Sequence, residues 1–243
     1  MQLNLPVPAR ALAIAAHPDD VEFGCGATLA KWSAAGCVVN HLVCTDGSKG
    51  SWDASDDVAA LVVTRQEEQR AAAKALGATG DVAFLGAVDG ELSSDLALRR
   101  EVATWIRRFQ PEVVLGHDPW RRYRLHPDHR HAGFLTIDGV VAARDPHFYP
   151  DLGIAHWRPS TLLLFEAGDV DHFEDVTPYV DAKLTALYEH ESQLRSTLHI
   201  EVGSVDETQQ RDRFRRHELD RMAEFGRQVG VAYAEAFKRI DDL

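Results

Sequence analysis

Five short apolar runs, separated by stretches of helical apolar spacing, constrain this chain more than anything else in it. The runs are 11–16 (ALAIAA), 37–44 (CVVNHLVC), 81–85, 112–116 and 161–165 (TLLLF). Helical spacing falls at 21–35, 58–76, 95–109 and 129–143. Strands this apolar are covered on both faces, and parallel neighbours need a crossover of a dozen or more residues, which helices supply. The alternation predicts an α/β fold: a Rossmann-like, doubly wound, mainly parallel sheet with helices on both faces. Segments 178–189 and 206–238 read as mostly helical, with Gly226 and Gly230 as interruptions. The 243 residues then form one domain, 1–243, with a core at about 10–166 and a helical C-terminal part at about 176–243.

Charge and cysteine content narrow the function classes. Lys and Arg number 26 against 38 Asp and Glu, a net charge of −12, which argues against a nucleic-acid partner that needs a basic face. The three cysteines, Cys25, Cys37 and Cys44, read as buried free thiols rather than a disulfide framework. No run approaches the ~20 apolar residues of a membrane span, and the start lacks a basic, apolar leader pattern. The expectation is a cytoplasmic protein with no membrane span.

In such a sheet, ligands bind beyond the carboxyl ends of the strands, where strand order reverses. With the five runs ordered 3-2-1-4-5, the reversal lies between the first and fourth. The loops after those two strands carry AHPDD (16–20) and HPDH (126–129). Of 12 histidines, six fall between residues 117 and 156. The metal reading combines His17, Asp20 and His129 as three ligands to one divalent ion; imidazole and carboxylate suit zinc, which keeps a further position open for water. Asp19 should diverge slightly from its neighbours and stand beside that water as general base. His126 would face the substrate to stabilise an oxyanion or protonate a leaving amine, and Asp128 would orient a histidine. Each part has a plainer reading. Asp19 or Asp20 can cap a helix, Pro127 and Asp128 suit a helix start, and His126 can be a loop histidine bonded to backbone. His117, His131, His147 and His156 read as structural or surface residues.

AHPDDVEFGCGATLAK, TDGSKGS, RQEEQRAAAKALG, FLGAVDGEL and LHPDHRHAG occur in this order from about residue 11 to 133, with KLTALYEHESQ further on. Together they resemble the PIG-L (LmbE-like) family of zinc-dependent N-deacetylases acting on N-acetylglucosaminyl compounds. The resemblance implies one Zn2+ per chain held by His17, Asp20 and His129, with other divalent metals able to serve. It implies Asp19 as base, His126 as electrostatic stabiliser or acid, and Arg65 and Asp89 as sugar-holding residues. It also implies removal of acetyl from an N-acetylated amino sugar, and self-association as a trimer or hexamer. Ala87 and Val88 stand where the family often has an aromatic and a proline, a departure that touches the sugar subsite.

On residue chemistry alone, Arg65 near the start of the second helix can bind hydroxyls or an anion, or make an exposed pair with Glu68. Asp89 in V-D-G can accept from hydroxyls or serve as a turn residue. The loop 45–50 (TDGSKG) can cradle a phosphate or simply border the substrate. The basic run 120–124 (WRRYR) can recognise an anionic or aromatic part of the substrate through Arg121, Arg122 or Arg124, or be a solvated loop. Two rival functions remain: an amidase of a larger glucosaminyl amide such as a thiol conjugate, and a non-catalytic sugar- or nucleotide-binding module.

Overall fold

A computed structural model describes residues 2–243 of the chain. The elements in order are β1 (Gln2–Leu3), β2 (Arg10–Ala15), α1 (Asp20–Ala34), β3 (Val38–Thr45), α2 (Val58–Ala75), β4 (Val82–Ala87) and α3 (Leu96–Phe109). There follow β5 (Val113–His117), α4 (Pro127–Arg144), β6 (Thr161–Phe165), β7 (His172–Asp175), α5 (Val180–Tyr188), α6 (Glu207–Val229) and β8 (Ala234–Asp241). They build one eight-stranded sheet ordered β1-β7-β8-β6-β5-β2-β3-β4. The five expected strands sit together as β4-β3-β2-β5-β6, all parallel, in the anticipated 3-2-1-4-5 order. The order reverses between β2 and β5, whose registers pair Ala11 with Val113 and Ala13 with Leu115.

Side-chain alternation along β2 explains the two layers. Ala11, Ala13 and Ala15 face a core with Val21, Leu29, Trp32, Leu76 and Phe165. Leu12, Ile14 and Ala16 face the other core, with Val102, Ile106, Leu135 and Val140. Three alanines in a row on one face let α1 approach the sheet closely. Asp57 and Asp95 cap α2 and α3, each accepting two backbone N–H groups. The three cysteines are free and buried.

The C-terminal part departs from the helical expectation. Helix α6 passes unbroken through Gly226, which packs against the carbonyls of Val231 and Ala232. It stops at Gly230, which adopts φ 77. The chain then turns back as strand β8, antiparallel to both β6 and β7. Without β8 the edge of β6 would stay unpaired, so sheet pairing overrides the local helical pattern. Strand β8 also delivers Glu235 beneath α1. That helix is kinked at Cys25 (φ −149, ψ 17), and Glu235 accepts the N–H groups of Ala27 and Thr28 just after the kink, at 3.2 and 2.7 Å. Lys183 on α5 neutralises Glu235 at 2.7 Å. Among the described residues, no helix is long and apolar enough to cross a membrane.

Candidate active site

The turn from β2 into α1 and the entry to α4 meet at the reversal of strand order. His17 and Asp20 come from the first; His129 lies in the first turn of α4, where His126 is the N-cap and Pro127 opens the helix. Nδ1 of His17 lies 3.1 Å from Oδ2 of Asp20 and 3.2 Å from Nε2 of His129. Nε2 of His129 lies 3.3 Å from Oδ1 of Asp20. Ligand atoms about 2.0–2.1 Å from a tetrahedral zinc stand about 3.3 Å apart. Asp20 meets His17 through Oδ2 and His129 through Oδ1, and the contacts among the three residues are of that size, so the residues suit a small divalent cation.

The second nitrogen of His17 turns to carboxylates. Nε2 lies 3.2 Å from Oδ2 of Asp128 and 3.2 Å from Oδ1 of Asp89. Asp128 is fully buried and also accepts the N–H groups of Gly90 and Leu92. Burial disfavours an imidazolium at His17, yet hydrogen bonds to Asp128, Asp20 and Asp89 outweigh it and hold its pKa well above the usual value. A ring surrounded by this many carboxylates favours a cation at Nδ1, whether a proton or a metal.

Asp19 occupies the N-cap position of α1 but makes no side-chain cap bond, so its carboxylate is free for the site. Its backbone is strained at φ 109, ψ −28, a cost of about 1–3 kcal/mol for a non-glycine residue. Burial pushes its carboxyl up to about 6 against the pull of Arg65, whose Nη2 lies 3.3 Å from Oδ2. Arg65 lies about two turns into α2, not at its start, and is buried, giving its other bonds to the carbonyls of Pro18 and Gly47 at 2.6 and 2.9 Å. It makes no surface pair with Glu68, which instead accepts from Ser192. Asp89 is buried too, accepting the N–H of Lys49 at 3.1 Å.

His126 is exposed, and its Nδ1 accepts the N–H of Asp128 at 3.3 Å. Its ring meets that of His17 edge-on, centroids 4.6 Å apart. Partial burial and the positive field of His17 hold its pKa below the usual value. The loop 45–50 donates its Ser48 and Lys49 N–H groups to Asp46 and Asp89, so it borders the site and presents no anion cradle.

Two members of the cluster escaped the sequence reading. His117, at the end of β5, is buried with Nε2 3.4 Å from Oδ2 of Asp20 and Nδ1 3.3 Å from Oε2 of Glu166. Glu166 follows β6 directly. Both stand at carboxyl ends of central strands, which is the signal that could have found them. The basic run divides. Arg124 turns inward, reaching Oε2 of Glu166 at 2.5 Å and abutting Nδ1 of His129, while Arg122 lies over the exposed Tyr123 ring at 4.7 Å. His131 faces Ser94 at 3.2 Å, away from the cluster.

The cleft over the triangle has a volume of about 390 Å³ and is walled by Trp52, Arg65, Asp89 and His126. A second cavity of about 670 Å³ adjoins it, sharing Asp20, Phe23, His129 and Thr197.

The PIG-L family, described as GlcNAc-PI de-N-acetylase, matches residues 12–140. A diacetylchitobiose deacetylase of Thermococcus kodakarensis is 37% identical over 187 residues, covering 76% of this chain and 70% of that protein. A 1D-myo-inositol 2-acetamido-2-deoxy-alpha-D-glucopyranoside deacetylase of Streptomyces scabiei is 33% identical over 59% of this chain, which spans about half (52%) of that relative. The solved N,N'-diacetylchitobiose deacetylase of Pyrococcus horikoshii superposes with a TM-score of 0.85 at 29% identity, over 96% of this chain and 84% of that one. With a matching family domain over more than half its length and a deacetylase relative above one-third identity, this chain belongs to the PIG-L family of N-deacetylases.

Proposed function

We propose that this protein hydrolyses the acetamide of an N-acetylglucosaminyl-type sugar, with zinc held by His17, Asp20 and His129. The observation that carries the reading is the close approach of these three residues, with donor-atom contacts of 3.1, 3.2 and 3.3 Å among them, where two parallel strands part. Zinc bound there supplies a Lewis acid that acidifies water and polarises an amide carbonyl. A His2Asp donor set also accepts other divalent ions.

The chain's own groups then divide the work. The carboxylate of Asp19 lies outside the triangle and takes the proton of the attacking water. Arg65 fixes that carboxylate. His126, with Nδ1 committed as acceptor, carries its proton on Nε2 and donates it in a hydrogen bond to the developing oxyanion. The C–N bond breaks as the nitrogen takes the proton that Asp19 accepted from the water, giving free amine and acetate. Asp128 orients His17 through Nε2. Asp89 and Arg65 form the wall that receives sugar hydroxyls.

The adjoining cavity of about 670 Å³ favours a substrate with something attached beyond one sugar, and so keeps the larger-amide reading in view. A panel of N-acetylated sugars and a glucosaminyl amide, assayed with and without added zinc, separates these. Acetate plus amine, abolished by chelator, supports the deacetylase. A released larger acyl conjugate supports the amidase. Absence of amine release from every sugar, with zinc bound, rejects both.

A further inference from the structure

The peptide group joining Pro18 to Asp19 is gripped at both ends by one helix. Its carbonyl accepts from Nη2 of Arg65 at 2.6 Å, and its N–H donates to Oε1 of Gln69 at 2.9 Å. Arg65 and Gln69 stand four residues apart on α2 and so share one helix face. Asp19 leaves this grip with φ 109. The seven other non-glycine residues of positive φ among the described residues lie between 49 and 64, inside the left-handed well. A conformation so far outside that well persists only where its surroundings over-determine it.

The amide of Gln69 is itself held in one orientation. Its Nε2 donates to Oε1 of Glu22 at 2.8 Å and lies 3.3 Å from Nδ1 of His41. Oε2 of Glu22 lies 3.2 Å from Nε2 of His190, in the segment after α5. Glu22, His41, Gln69 and His190 are all fully buried. With a carboxylate against its nitrogen, the amide can turn only its oxygen to Asp19; flipped, it would set donor against donor. None of the four lines the cleft or belongs to the donor triangle.

We infer, resting on the deacetylase reading, that Gln69 is a positioning residue for Asp19, and that Glu22 and His190 select the amide orientation through which it acts. Arg65 and Gln69 together fix the 18–19 peptide. That is what makes the Asp19 carboxylate diverge from the neighbouring Asp20. The tail of the chain reaches the proposed base through His190, Glu22 and Gln69, although it lies outside the donor triangle.

The test uses the full-length, zinc-loaded protein and the variants Q69M, E22Q and Q69M/E22Q. Methionine keeps the length of the side chain and removes its hydrogen bonds. In Q69M, zinc content and KM should stay within about twofold while kcat falls about tenfold, the loss of one buried hydrogen bond. In its crystal structure Asp19 should relax into the 49–64 range of the other residues. E22Q should lower kcat less, because a neutral amide at 22 lets Gln69 turn either way, and the double variant should be no worse than Q69M. Should Q69M fail to fold, E22Q alone carries the test by its fall in kcat at constant KM. Unchanged kcat, φ still near 109, losses that multiply in the double variant, or zinc and KM failing in parallel would each overturn the inference. A wild-type protein that releases no amine refutes the deacetylase reading instead, and the Q69M crystal structure still decides the clamp.

Discussion

His117 stands behind Asp20, its Nε2 3.4 Å from the carboxylate Oδ2, and its ring stacks on that of His129 with centroids 4.4 Å apart. One buried imidazole thus braces two corners of the donor triangle without occupying the third. Residues that orient ligands from behind typically change metal affinity about 10–100-fold when lost. His117→Phe keeps the ring stack and removes the polar contact. Zinc affinity should fall by about that factor, as read by competition with a chromophoric chelator. Affinity equal to wild type would leave His117 a packing residue.

Asp19 makes the opposite prediction. Its carboxylate bonds Arg65 and lies outside the triangle, so Asp19→Asn should leave zinc stoichiometry at the wild-type level. A positioned general base contributes about 10²–10⁴ in rate. Turnover of an N-acetylated sugar should fall by about that factor with KM little changed. A variant with full turnover would remove the base assignment; one without zinc would move Asp19 into the coordination sphere.

Much of this arrangement was readable beforehand. Short apolar strands such as TLLLF need no tertiary information to be recognised, and their alternation with helices implies a parallel sheet. His17 and His126 were legible because each sits in a loop beside prolines and aspartates that no buried strand would carry. What stayed hidden depends on packing. Gln69 resembles any polar residue on an exposed helix face until α5 and the segment around His190 cover it. Glu235, in AEAFKRID, looks like the surface charge of a continuing helix. Its burial follows only from the turn at Gly230 and from N–H groups freed at the Cys25 kink. His117 shares a strand-end position with His17, but has no neighbouring acidic pair to mark it.

Glu174 gives the pH dependence a definite sign. Its carboxylate is fully buried on β7, accepting from the Leu5 N–H at 2.7 Å, Lys31 at 2.7 Å and His172 at 2.8 Å. Burial alone would raise its pKa, but the bonds from His172, Lys31 and Leu5 outweigh it and hold the carboxyl below its ordinary value. The unfolded chain, with a glutamate near about 4.3, therefore binds this proton first as pH falls. The stabilisation is complete above that value and drains away as pH drops through the folded one. Glu174→Gln should cost about 1–3 kcal/mol at neutral pH. The gap between variant and wild type in urea unfolding should narrow between about pH 5 and pH 3. A gap independent of pH would mean that the charge of Glu174 contributes nothing.

The basic run separates into a structural and a dispensable part. Arg124 is tied to Glu166, whose carboxyl is pulled down to about 2: burial opposes ionisation, but hydrogen bonds from His117 and Arg124 overcome it. Removing Arg124 leaves that carboxylate beside His117 with one partner fewer, and so disturbs the brace behind Asp20. Arg122 lies over an exposed tyrosine and touches no site residue, a contact of small value in water. Arg124→Ala should therefore lower kcat/KM about tenfold on neutral and phosphorylated N-acetyl sugars alike, one charge-assisted bond in magnitude. Arg122→Ala should leave both within about twofold, since exposed surface substitutions have small effects. Selective loss on the phosphorylated sugar in Arg122→Ala would instead make 120–124 an anion-recognition loop. That outcome would require the loop to fold over the cleft once substrate is bound.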